Sequence, residues 1–190
     1  MSRRPIVRAI LALPMTSLLL LFSVGCHTVH PSYPSTWPKV TEVRDIENLL
    51  VGSYSCSGEI ITTDTGLWTK TSITGFLIGG KNPPFCEHIE ILRPEPSTLV
   101  IRFLNSDTEI TKKTYQKDSS YHIRQGWVEL SGYGEWVGEM GVAHESQTPL
   151  LSQDSEKNLI IKQKISMAGL LIIVPVGTSG TEWGKFERLN

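Results

Sequence analysis

Beyond residue 50 the chain alternates apolar and polar residues with a period of two. Tyr54, Cys56, Gly58 and Ile60 alternate with Ser53, Ser55, Ser57 and Glu59. Ile89 and Ile91 alternate with His88 and Glu90, and Leu99, Ile101 and Phe103 with Val100, Arg102 and Leu104. Leu159, Ile161 and Ile165 alternate with Ile160, Lys162 and Lys164. Successive side chains of a strand point to opposite faces, so each run predicts a half-buried strand. Before them, Val43, Ile46, Leu49 and Leu50 recur at helical spacing and Gly52 follows, which predicts a short helix over roughly 42–50.

Turn signals separate the runs: Asp64-Thr-Gly66, Gly79 to Pro84, Asn105-Ser-Asp107, Asp118-Ser-Ser120, Ser131-Gly132 and Asp154 to Asn158. The predicted strands are 52–62, 67–78, 86–93, 98–104, 108–116, 121–130, 136–146, 158–166, 169–175 and 182–189. Gly126 inside its strand suggests a bulge. Leu170 to Val174 is an unbroken apolar run, which suits a strand buried on both faces, and Gly177-Thr-Ser-Gly180 suits a turn between the last two strands. Short strands at this spacing predict an all-β, antiparallel up-and-down barrel of about 8–10 strands, with a β-sandwich as the alternative.

The first 25 residues have a different pattern. Arg3, Arg4 and Arg8 precede an uncharged, mostly apolar stretch from Ala9 to Val24. That stretch is short for a membrane-spanning helix and has the layout of a signal peptide. Its end, Phe22-Ser23-Val24-Gly25-Cys26, resembles the lipobox of bacterial lipoproteins, although Ser23 stands where Leu is commonest. The resemblance implies cleavage before Cys26, a diacylglycerol on its thiol and acylation of its amino group. It also implies the outer membrane, facing the periplasm, in a Gram-negative host, because His27 is not the Asp that retains such proteins in the inner membrane. Residues 26–40 contain Pro31, Pro34 and Pro38 and read as a lipidated Cys with a semi-extended tether, leaving 41–190 as a single β-rich domain.

The ends of that domain carry a second resemblance. A short helix leading into Gly52-Ser53-Tyr54, and Trp183-Gly-Lys-Phe-Glu-Arg188 at the other end, resemble the first and last strands of the lipocalin/calycin superfamily. There a basic residue of the last strand covers an aromatic of the first. Tyr54 replaces the family's Trp, and its middle Thr-Asp-Tyr motif has no counterpart here. Closure of a barrel, which removes both free edges, requires the strand around Tyr54 to pair with the strand around Phe186, with Arg188 or Lys185 near the Tyr54 ring. The resemblance also implies a small apolar ligand held in the barrel. Tyr54, Trp68, Trp127, Trp136 and Trp183 are the aromatics that could line such a pocket, with ordinary core and interface packing as the alternative.

Charge and chemistry narrow the function classes. The chain has 18 basic and 19 acidic residues; losing residues 1–25 removes three Arg and leaves 15 basic against 19 acidic, a net charge of -4. Such a chain has no electrostatic footprint for nucleic acid, and its mild acidity argues against binding phosphates through net charge. Cys56 and Cys86 are an even pair in an exported chain and suggest a disulfide. Cys86 is out of phase with Ile89 and Ile91, so a bond needs it in the turn after Pro83-Pro84; two separate buried thiols are the alternative. His27 and His30 lack a third metal ligand, and His88, His122 and His144 read as surface residues. Glu135, Glu139 and Glu145 lie close in sequence without a sign of a cleft. No metal, cofactor or catalytic constellation is predicted. The expectation is a non-catalytic, lipid-anchored envelope protein with a membrane partner through its anchor. It either holds a small apolar ligand or, with a filled core, meets a protein partner.

Overall fold

The computed structural model describes residues 26–29, 31–41, 45–62, 72–79, 83–137, 141–171 and 174–189. The strands are β1 (Cys26–Val29), β2 (Gly52–Ile61), β3 (His88–Glu95), β4 (Thr98–Asn105), β5 (Thr108–Gln116) and β6 (Tyr121–Arg124). There follow β7 (Trp127–Leu130), β8 (Tyr133–Val137), β9 (Gly141–Gln153), β10 (Leu159–Leu171) and β11 (Val174–Leu189). Two short helices accompany them, α1 (Ile46–Leu50) and α2 (Ile73–Leu77). The protein is all-β.

All strands belong to one sheet, in the order β5-β4-β3-β2-β11-β10-β9-β7-β6, with β1 parallel beside β11 and β8 beside β9. A single curved meander is therefore present, rather than the two sheets of a sandwich. The first and last long strands are neighbours, as expected from their end motifs: Tyr54 faces Arg188, Gly58 faces Phe186 and Ile61 faces Trp183. The barrel is nevertheless not closed. Its seam lies between β5 and β6, which the turn at 117–120 joins with only an isolated bridge, Lys117 to Tyr121.

The inward-facing positions fill one continuous core. Tyr54, Phe76, Ile89, Phe103, Tyr121, Leu159, Ile161 and Phe186 are fully buried within it. α1 closes one end. Its Glu47 is buried and accepts a hydrogen bond from the Tyr121 hydroxyl at 2.8 Å, with Lys117 at 3.2 Å and Arg93 at 3.4 Å. The Arg188 guanidinium lies 5.8 Å from the centre of the Tyr54 ring and donates to the Val51 carbonyl at 2.8 Å. A Cβ on Gly52, whose φ is +152°, would stand 2.8 Å from Arg188 Nη2, so glycine is needed there on both counts. Cys56 and Cys86 are disulfide-bonded, with Cα atoms 5.9 Å apart. Cys86 precedes β3, and the Cys56 amide donates to the Glu87 carbonyl, so the phase mismatch is absorbed in the turn.

Several sequence expectations are corrected. The predicted strand 67–78 contains helix α2; its first part, with Trp68 and the Asp64-Thr-Gly66 turn, lies outside the described residues. The predicted strand 121–130 is a hairpin, β6 and β7, turning at Gln125 (φ 52°) and Gly126 (φ 76°) rather than bulging. The predicted strand 136–146 is divided between β8 and the start of β9. The segments 158–166 and 169–175 are not two strands. β10 runs to Leu171 and β11 begins at Val174, so the apolar run holds the end of a hairpin. Gly177 to Gly180 is strand, paired with β10 on one side and β1 on the other.

The Pro-rich segment also differs from a free tether. Residues 31–41 lie along the outer face of the sheet. Trp37 is only 6% exposed and packs with Ile160 and Trp183. Its indole N–H donates to Glu59 at 2.8 Å, Trp183 donates to the Pro31 carbonyl at 3.0 Å, and Val40 bridges to Asp154. This cover explains why Ile160 is completely buried on the face opposite the core.

Candidate functional site

Two groups of polar and aromatic side chains stand out, one on each face of β9, β10 and β11. The inner group continues the core upward along these long strands. Gln147 Oε1 lies 2.6 Å from the Tyr133 hydroxyl and 2.8 Å from Gln163 Nε2. The Tyr133 hydroxyl is also 2.9 Å from the Gly75 carbonyl of α2, and Gln147 donates to the buried Glu145. Gln163 faces Glu182 across β10 and β11. These side chains bond one another and the backbone of α2, fixing that helix inside the sheet. Buried polar groups are costly unless paired, and here pairing gives them a structural role.

The outer group is open. Cross-strand register aligns Glu129, Leu150, Lys162 and Trp183 in one row over β7, β9, β10 and β11. With Arg124, Gln125, Trp127 and Lys164 the first three line a groove of about 590 Å³. Trp127 and Trp183 meet edge to face with ring centres 6.0 Å apart, and Lys162 Nζ lies 5.1 Å from the centre of the Trp183 ring. Burial, and then the like charge of Lys164, hold the Lys162 ammonium below its ordinary pKa. Among the described residues, Arg124, Lys162 and Lys164 have no carboxylate within ion-pair distance, whereas Arg93, Arg102, Lys117 and Lys185 each do. A groove lined by three cations against the single carboxylate of Glu129, with an aromatic wall, suits an anionic group with some apolar surface. The chain's net acidity is thus unevenly distributed, and this face is locally basic.

Among the described residues, the expected ligand-lining side chains are divided between the two faces of the sheet. Tyr54 is in the core, where its hydroxyl donates to the Leu50 carbonyl at 3.0 Å and burial pushes its pKa up. Trp127 and Trp183 are on the opposite face of the sheet. Trp68 and the Trp136 side chain lie outside the description. His122 sits 3.8 Å from Asp118, and His144 is exposed. Among the described residues, no three His, Cys, Asp or Glu side chains converge in a way that could hold a metal.

Sequence reasoning passed over Arg124, Lys162 and Lys164, together with Tyr33 and Trp37. The period-two phase of Lys162 and Lys164 was the available signal, since it puts two cations on one outer face. No family model, curated protein or solved structure matches this chain.

Proposed function

We propose that the protein is a non-catalytic, lipid-anchored module of the bacterial envelope that works through its outer sheet face rather than through a ligand in its interior. In a Gram-negative host its place is the outer membrane, facing the periplasm. The observation that carries this reading is the placement of the side chains. Large aromatics pack on the inner face, while the groove with an excess of cations opens on the outer one. The anchor reading rests on the charged start, the apolar stretch and the Gly25-Cys26 pair. Among the described residues, no helix is long and apolar enough to cross a membrane.

Native mass spectrometry of the protein purified from membranes separates this reading from lumen binding. A filled interior predicts a single species without retained small molecule. A stoichiometric lipid-sized mass, released only on unfolding, would restore the ligand reading. Charge reversal by Lys162→Glu with Lys164→Glu is expected to leave the fold intact and to abolish binding of anionic envelope components to the groove.

A further inference from the structure

From Ile165 to Thr181 the chain carries no charge, between Lys164 and Glu182. The fold makes this segment the far end of the β10–β11 hairpin: Ala168 faces Gly177, Gly169 faces Val176, Leu170 faces Pro175 and Leu171 faces Val174. β9 lies alongside with Val142 and Ala143 opposite Leu170 and Gly169. β1 places Cys26 beside Gly177, on the row of Ala168. Resting on the lipid-anchor reading above, the geometry points to a second membrane contact: we infer that the end of the β10–β11 hairpin enters the acyl-chain region of the bilayer beside the acylated Cys26.

The dimensions agree. Cys26 stands three residues from the last pair, Leu171 and Val174, or about 10 Å at ~3.3 Å per residue. One leaflet of the hydrocarbon core is about 15 Å deep. With the acylated Cys at the glycerol level, the hairpin end reaches into that leaflet without crossing it. The composition agrees too: the strand ends are Ala168-Gly-Leu-Leu171 and Val174-Pro-Val-Gly177. Pro175 lacks an N–H, which removes a donor from the strand edge where hydrocarbon offers no acceptor. Lys164 lies four residues on the other side of the Ala168 row, about 13 Å outward and so beyond the headgroup layer, which is about 5–7 Å thick on each side. The docked segment 31–41 removes the slack that a free tether would have given, because Pro31 is held by Trp183 only five residues after Cys26. An anchor of acyl chains alone holds a domain near a membrane; a hairpin inserted beside it also fixes the orientation.

The test uses the full chain, isolated from membranes and reconstituted into phosphatidylcholine vesicles. The mass of the chain reports acylation at Cys26. A fluorophore on Leu171→Cys, or on Val174→Cys as a second site, is compared with one on Asp107→Cys in the distant β4–β5 turn. Lipids brominated in their acyl chains serve as the quencher. We expect about three-fold or greater quenching at 171 and 174 relative to 107, as depth within the leaflet demands. An acylated chain with equal quenching at the three positions overturns the hairpin while leaving the anchor standing. A chain without acyl mass overturns the anchor; in that case the labels are placed in a Cys26→Ser background, where quenching confined to 171 and 174 supports the hairpin and its absence refutes it. Chain-to-chain cross-linking through 171 without quenching assigns this end to a second copy and also overturns the proposal.

Discussion

Arg188 joins the two ends of the domain through one side chain. It covers the Tyr54 ring, donates to the Val51 carbonyl and occupies the space that a side chain at Gly52 would need. A cation over an aromatic ring contributes about 0.5–2 kcal/mol, and a hydrogen bond from a charged group about 1.5–3 kcal/mol. Arg188→Ala is therefore expected to destabilise by roughly 2–4 kcal/mol in urea unfolding, and Arg188→Lys to recover only part of that. Both motifs were legible in the sequence because each is local: a Gly before an aromatic, and a cation two residues after an aromatic in a final strand. Trp37 and Tyr33 were not legible, because their segment has neither period and their packing depends on Ile160 and Trp183 far along the chain. Glu59 gives the same contact a pH dependence. Its carboxyl is held below its ordinary value of 4.5, first by the hydrogen bond from Lys185. A carboxyl with a depressed folded pKa adds stability that is fully present above the unfolded value and is lost as pH falls through the folded one. Tryptophan fluorescence should report loosening of residues 31–41 below about pH 4.5, and Glu59→Gln should show it already at neutral pH.

At the scale of elements, local patterning decided what was readable. β5 has the predicted limits, and β3 and β4 agree within two residues, because turn chemistry bounds them and one face is polar. α2 was misread as strand because all of its residues, Ile73 to Leu77, are buried. A helix buried on every side shows no period, and β-branched residues then favour the strand reading. The long strands were read as fragments because Gly177-Thr-Ser-Gly180 has turn composition, yet β1 and β10 pair with it on both sides. The disulfide was only partly readable: the even count of thiols suggested it, while the phase of Cys86 opposed it until the turn was placed. It closes a loop with a sequence separation of 30, which in the chain-entropy account stabilises by about 3–4 kcal/mol. Reduction, or Cys56→Ser with Cys86→Ser, should lower the thermal midpoint by on the order of 10 °C.

At the scale of the whole molecule, the sheet is a meander whose ends in sequence are joined, while its opening lies between β5 and β6 in mid-chain. An unpaired edge exchanges its amide protons more readily than a paired one. Hydrogen exchange should therefore be fast along the free edges of β5 and β6 and slow across the β2–β11 ladder. This distribution would reverse if the chain termini formed the opening. The outer groove emerges only at this scale, since Arg124, Lys162 and Lys164 come from β6 and β10 and converge through β7 and β9. Net charge is therefore a poor guide to this face: an acidic chain gathers three cations around one carboxylate where its strands align them.

The measurement that tests the account most directly is the mass of the protein taken from the membrane fraction, recorded first intact and native, then unfolded. A chain that begins at Cys26 and carries acyl groups there is expected, with the same mass before and after unfolding, since among the described residues the inner face is occupied by packed side chains. A chain still bearing residues 1–25, or cleaved without acyl groups, would contradict the anchor. A discrete lipid-sized loss on unfolding would contradict the filled core.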